Sequence, residues 1–400
     1  MNEVVVVGAC RTPIGKFLGS LKDVTAKDLA VTAGKEAIKR AGIDSQSIDE
    51  IVMGQVYQHM QNSLPARIVG LACGLPVRSS AMVVNQNCSS GMRAMEIAAS
   101  NIMLGKTEIA LVVGVEVMSG VPYMLPGARN GYRMGSGELV DALTHDALFD
   151  SLVPGHMGMT AENVAVKYGI TREECDKLAL LSHQRVAKAV ETGAFEEEIV
   201  PVEIKTKKGT TIFAKDEHYI PDASVESMAK LRPAFKPDGG VVTAANASGI
   251  NDGAAALILM SKTKAEKLGL KPLGKLVNVC SYGVEPEIMG IGPAEAIPKC
   301  LEGTGVKFND VDYWEINEAF APQFIGCQKK LKIDHNLDLD MDKVNHYGSG
   351  IALGHPIGCT GARLIVTLLY EMKRKGYTYG GASLCVGTGP AMASLWTTKI

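Results

Sequence analysis

The sequence predicts an α/β fold built from two related halves, with a segment of different character set between them. Three observations carry that prediction. Short β-branched or apolar runs alternate with stretches of helical period, as strand–helix units require. One helix–turn–strand passage occurs twice, and residues 121–249 lack the alternation altogether.

Residues 4–7 are a β-branched run suited to a buried strand. Thr25 opens an amphipathic helix with Asp28 at capping-box spacing, and Gly42 marks its end. Residues 49–56 read as the next strand. In 90–104, Met92, Met95, Ile97, Ala98, Ile102 and Met103 recur at helical spacing; Gly105 closes that helix and 109–113 is a strand. Within the dissimilar segment, 173–192 is a helix, and Lys207-Lys208-Gly209 forms a hairpin tip between 202–205 and 211–214. The second half repeats the order: a helix over 293–301, glycines 303 and 305, a strand over 311–316. Thr360-Gly361-Ala362-Arg363 then opens a helix reaching Gly376, followed by the strand 382–386, which reads as the last long one. This passage parallels Ser90-Gly91-Met92-Arg93, and the two glycine-to-glycine spacings are 14 and 15 residues. Agreement over helix, turn and strand favours duplication over chance.

Composition narrows the function. With 400 residues, 46% hydrophobic and 21% charged, the chain reads as a soluble globular protein of two or three domains. A net charge of -2 with mixed signs gives no footprint for nucleic acid or for an anionic membrane, so a polyanionic ligand must be met locally. Nine cysteines without CxxC or a Cys/His cluster at zinc spacing argue against a disulfide framework and against a metal site. The opening residues read as strand rather than as a leader, no run of 18 apolar residues occurs, and the last residues are not a peroxisomal address. A cytoplasmic location is the expectation.

Cys88 follows an apolar run and opens a helical pattern. Unpaired N–H groups at a helix start stabilise an anion, so the expectation is a lowered thiol pKa and a nucleophile for acyl transfer. Cys88 stands three residues before Gly91, the equivalent stretch before Gly361 is Gly354-His355-Pro356-Ile357-Gly358, and Cys385 ends a strand ahead of Gly387 and Gly389. If the halves pack about a pseudo-twofold axis, two cysteines and a histidine converge on one cleft, at the strand ends where α/β sheets bind ligands.

The motifs VNQNCSSGMRA around Cys88, NEAFA at 317–321, GSGIALGHPIGCTGAR at 348–363 and CVGTGP at 385–390 together resemble the signatures of the thiolases, the acetyl-CoA acetyltransferases and 3-ketoacyl-CoA thiolases. Further likeness at 10–17, 156–163, 227–235 and 243–256 extends the resemblance along the whole chain. It implies a five-layer αβαβα thiolase fold of two βαβαβαββ halves, 1–120 with 250–272 and 273–400, and an inserted loop domain, 121–249, covering coenzyme A. It implies reversible condensation of two acetyl-CoA, or CoA-dependent cleavage of 3-ketoacyl-CoA, with Cys88 carrying the acyl group. By the same resemblance His355 takes the Cys88 proton, Cys385 moves the α-carbon proton, and Asn317 acts through water with His355 in one oxyanion hole. The backbone N–H groups of Cys88 and Gly387 form the other.

Resemblance also places Ala244, Ser248, Leu148 and His156 on coenzyme A, and Met157 and Met289 on the acyl pocket. It implies no permanently bound cofactor, with coenzyme A and acyl-CoA as substrates, and a homotetramer (or homodimer) whose tetramerisation loop is 122–141. The chain departs from the pattern at Ile220, where many relatives have arginine, and in the sequences 344–349 and 386–388. A decarboxylating ketosynthase uses histidines where Cys385 stands; a noncatalytic lipid-binding relative lacks one of the catalytic residues.

Overall fold

The computed structural model describes residues 1–207 and 209–400; the hairpin-tip residue Lys208 lies outside the described residues. Nine strands build the frame: β1 Val4–Arg11, β2 Glu50–Gly54, β3 Ser80–Val84, β4 Ile109–Val117, β5 Asn251–Ser261, β6 Gly274–Gly283, β7 Tyr313–Ile316, β8 Tyr379–Cys385 and β9 Pro390–Thr397. In the first half the order is β3-β2-β4-β5-β1, with β3, β2 and β4 parallel and the β4–β5 and β5–β1 pairs antiparallel. The second half runs β7-β8-β9-β6, with β7 and β8 parallel and the other two pairs antiparallel. So β2, β4, β5 and β1 correspond to β7, β8, β9 and β6. The halves meet edge to edge at two residue pairs, Val5 with Lys275 and Val6 with Gly274.

Helices complete five layers. Helix α1 (Ala26–Ala41) and α2 (Pro65–Ala72) cover the outer face of the first sheet, through a core of Leu29, Ala33, Ile51, Val113 and Ile258. Helix α3 (Ser90–Met103) lies between the sheets; α4 (Met157–Tyr168) and α5 (Arg172–Glu191) come from the segment between the halves; α6 (Pro293–Leu301) and α7 (Ala321–His335) cover the outer face of the second sheet. Helix α8 (Ile357–Lys375) joins α3 in the central layer, where Met92, Met95, Leu364 and Leu368 pack with Val112, Leu257, Leu384 and Trp396. This is the αβαβα layering that the resemblance implies. The chain leaves the first sheet after Val117 and returns at Asn251, so β5 fills the position between β4 and β1.

Local chemistry explains the element ends. Thr25 Oγ1 accepts the Asp28 N–H at the start of α1, and Gly42 closes that helix in the left-handed conformation. Thr171 and Glu174 form a full capping box on α5, which starts at Arg172, one residue before the predicted start. Every residue of β5 is buried, so its apolar run shows no alternation that would separate it from a buried helix segment. Two expectations are corrected. Helix α8 starts at Ile357 rather than Thr360, because Pro356 at its N-cap needs no N–H partner. Cys385 does not end the last long strand: the chain reverses over 386–389 and adds β9, which the small residues Ala391, Ala393 and Ser394 disguise. No helix among the described residues is long and apolar enough to cross a membrane.

Helices α3 and α8 touch through backbone. A Cβ on Gly361 would stand 2.5 Å from the Met92 nitrogen, and one on Gly91 would stand 2.8 Å from the Ala362 nitrogen. Gly361→Ala therefore forces the helices apart, with an expected loss of about 1–3 kcal/mol in urea unfolding; an unchanged midpoint contradicts this packing.

Candidate active site

Cys88 sits in a tight turn ahead of α3. Asn87 takes a left-handed φ of 45°, a conformation its short polar side chain tolerates, and the turn closes through Ser89 N–H to Gln86 O at 3.1 Å and Ser90 N–H to Asn87 O at 3.0 Å. The Ser90 hydroxyl donates to Asn87 O and accepts the Gln86 N–H. These bonds hold Cys88 where the Cys88 and Gly387 backbone N–H groups both reach its sulfur.

His355 is held from both halves. Its backbone N–H donates to Asn251 Oδ1 at 3.0 Å, and Asn251 opens β5. Its Nδ1 lies 2.6 Å from Thr360 Oγ1, whose own proton goes to Pro356 O at 3.1 Å. With that hydroxyl proton committed, Nδ1 must donate, which leaves Nε2 as the basic nitrogen. Asn317 is buried behind His355 with Nδ2 3.5 Å from Nε2. Its Oδ1 has no hydrogen-bond partner among the described residues.

Cys385 ends β8, and the turn after it brings Gly387 against the nucleophile loop. Asn87 Nδ2 donates to Gly387 O at 3.3 Å, and a Cβ on Gly387 would stand 2.8 Å from Met157 Cε. A larger residue there would press on the flexible end of Met157.

These groups share one cavity of about 340 Å³. Cys88, His355, Cys385 and Gly387 line it, as do Leu148, His156, Met157, Ala244, Ser248 and Met289; of the predicted residues, Asn317 alone stands behind the wall. His156 caps α4 by accepting the Gly158 N–H at its Nδ1 and stacks on Phe235 with ring centroids 4.6 Å apart. Ser248 N–H donates to Ala319 O, which ties the segment 243–249 to the motif at 317–321. Ile220 is 43% exposed and holds a backbone bond to His183 Nδ1; it does not reach the cavity wall. Sequence reasoning missed Met118, Ala147, Ile250 and Ile357 on the Cys88 side and Ala319 and Phe320 on the Cys385 side. Ala319, Phe320, Ile250 and Ile357 lie in the motifs quoted above, but apolar side chains within a motif do not show whether they line a cavity or fill the core; Met118 and Ala147 lie in no motif.

Burial governs the acid–base chemistry. It pushes the Cys88 thiol up to about 11, outweighing the N–H groups of Gly387 and Cys88 that bond the sulfur, while Glu116 adds to the rise. The expected lowering is thus reversed: Cys88 keeps some exposure to the cavity, but protein surrounds the sulfur and desolvation outweighs the helix start. Burial also drives the Cys385 thiol well above its ordinary value, with Cys88 and Cys327 adding to it. His355 falls to about 3, through burial first and then the positive Arg363. The resting site therefore holds two neutral thiols and a neutral imidazole.

Comparison with known proteins identifies the family. The family model described as "Thiolase, N-terminal domain" matches residues 4–263, and "Thiolase, C-terminal domain" matches 270–398. The architecture and site define a member of that class of two-half α/β proteins, and the chain belongs to the thiolase family. It is 49% identical over 395 residues to the acetyl-CoA acetyltransferase of Syntrophomonas wolfei, with 98% of each chain covered, and 46% identical to that of Escherichia coli, again with 98% of each covered. Among solved structures, an acetyl-CoA acetyltransferase from Syntrophomonas wolfei superposes with a TM-score of 0.98 at 61% identity, covering 100% of both chains. Human mitochondrial 3-ketoacyl-CoA thiolase superposes at 0.94 with 41% identity, covering 99% of each chain.

The lowered His355 has a consequence for stability. In the unfolded chain the imidazole titrates near 6.5, so as pH falls the unfolded state binds the proton first. Its contribution is fully present above about pH 6.5 and is lost toward pH 3. Urea midpoints of His355→Asn should therefore depend less on pH between 4 and 7 than those of the wild type; parallel curves would contradict the neutral, buried assignment.

Proposed function

We propose that this chain is an acetyl-CoA C-acetyltransferase, joining two acetyl-CoA into acetoacetyl-CoA and, in reverse, cleaving 3-ketoacyl-CoA with coenzyme A. The observation that carries the reading is the placement of two cysteines and a histidine on the wall of one largely apolar cavity. The names of the relatives, acetyl-CoA acetyltransferase and 3-ketoacyl-CoA thiolase, support it.

The neutral pair of Cys88 and His355 suits a thiol that ionises only as it reacts. His355 Nε2 takes the Cys88 proton as the sulfur attacks the thioester carbonyl; the C–S bond to coenzyme A breaks, and the departing thiolate recovers the proton from His355. The backbone N–H groups of Cys88 and Gly387, which converge on the sulfur in the free enzyme, then serve the thioester oxygen. With coenzyme A released and His355 neutral again, Cys385 passes its proton to His355 and, as a thiolate, takes an α-proton from the second acetyl-CoA. The resulting carbanion attacks the acetyl-Cys88 carbonyl, the new C–C bond forms, and Cys88 leaves and recovers the proton from His355. A water between His355 Nε2 and Asn317, where Oδ1 lacks a partner among the described residues, would hold the enolate oxygen.

In this reading Leu148, His156, Ala244 and Ser248 contact the pantetheine arm, Met157 and Met289 bound the acyl group, and no cofactor stays bound between turnovers. The units are 1–120 with 250–272, 121–249 and 273–400; the return of the chain to the first sheet at Asn251 supports that division. The exposed Tyr123, Leu125, Tyr132, Met134 and Leu139 fit a homotetramer contact, and the enzyme would work in the cytoplasm in fatty acid metabolism.

Incubation with radiolabelled acetyl-CoA should label the wild type on Cys88 and leave Cys88→Ala unlabelled; label retained elsewhere in Cys88→Ala sinks the proposal. Thiolysis assayed with 3-ketoacyl-CoAs of increasing chain length should fall off beyond the length that the cavity, bounded by Met118 and Ile357 beside Cys88, can hold; equal rates at all lengths would contradict that boundary.

A further inference from the structure

One buried acid beside the cavity has no part in the chemistry above. Glu116, the penultimate residue of β4, is fully buried and has no cation partner among the described residues. It accepts three backbone N–H bonds: Tyr57 on Oε1 at 3.1 Å, and Val56 and Gly358 on Oε2 at 3.0 and 2.9 Å. Val56 and Tyr57 follow β2, and the Tyr57 hydroxyl donates to Leu143 O in the segment that flanks the cavity at Ala147 and Leu148. Gly358 lies three residues after His355 in the first turn of α8, and a Cβ there would stand 2.6 Å from Glu116 Oε2. A single carboxylate thus joins the His355 loop from one half to the β2 loop and cavity wall of the other.

We propose that Glu116 is a positioning residue, whose carboxylate sets the distance between His355 and Cys88 by clamping the first turn of α8 to the ends of β2 and β4. The inference rests on the roles assigned above to Cys88 and His355. A carboxylate is the side chain this place requires: all three partners are donors, so both oxygens must accept, and it sits at a helix N-terminus that favours negative charge. Burial raises the Glu116 carboxyl to about 8, against the three N–H bonds that favour its charged form, so the charge that bears on the nucleophile is complete only above that pH. Tyr57, Cys88, Cys359 and Asp252 are the titratable groups that sense or face it.

Glu116→Gln keeps the length but turns an amide NH₂ against one of the donors and removes the charge. Glu116→Asp keeps the charge but falls one methylene short. Acetylation of Cys88, followed by rapid quench and mass spectrometry, should slow by about 10²-fold in both, the order expected for misplacement of reacting groups by about 1 Å. The KM for acetyl-CoA should stay near the wild-type value. The pH profile of Cys88 alkylation should move to lower pH in Glu116→Gln and not in Glu116→Asp, a difference that general loosening would not produce. Wild-type acetylation rates in Glu116→Gln, or in Glu116→Asp if the amide variant does not fold, overturn the proposal. If wild-type Cys88 is not acetylated at all, the assignment of the nucleophile fails first and this inference falls with it.

Discussion

Helices α3 and α8 cross between the two sheets with backbone against backbone, and the placement of Cys88 against His355 depends on that contact. Gly91 and Gly361 leave no room for a Cβ, so the N-terminal turns of the two helices lie as close as chain geometry allows. Cys88 precedes the first turn of one helix and His355 that of the other. The sheets on either side cannot move the helices apart without opening the central core of Met92, Met95, Leu364, Leu368 and Trp396. The catalytic pair is therefore a product of the interior packing between the halves.

What the cavity adds is a low-dielectric setting that keeps the site uncharged at rest. Desolvation outweighs the nearby N–H donors at Cys88, raises Cys385 and keeps His355 neutral. A thiolate formed during reaction is then poorly solvated and strongly nucleophilic, and the fixed N–H groups of Cys88 and Gly387 meet the charge where it moves next. The same setting explains the tautomer of His355. Thr360 spends its one proton on Pro356, and the imidazole is left with its base toward Asn317 and the cavity.

Much of this was legible in the sequence, for identifiable reasons. The duplicated helix starts, the caps at Thr25 and Gly42, and the glycine-rich motifs around His355 and Cys385 all leave marks that local chemistry imposes. The strands β5 and β9 did not, because a strand buried on both faces shows no alternation and β9 is rich in small residues. The Cys88 acidity was misjudged because a helix start can be read from spacing while burial cannot. Glu116 escaped notice altogether: a lone glutamate in a β-branched run looks like an error in a strand until its three donors, drawn from residues 56, 57 and 358, are seen together.

The central claim is a division of labour, with Cys88 holding the acyl group and Cys385 moving a carbon-bound proton. Exchange of the acetyl-CoA methyl protons with D₂O, followed by NMR in wild type and Cys385→Ala, tests it most directly. The account predicts that Cys385→Ala still acetylates Cys88 but loses methyl exchange. Exchange persisting at the wild-type rate in that variant would show that another group moves the proton and would contradict the account.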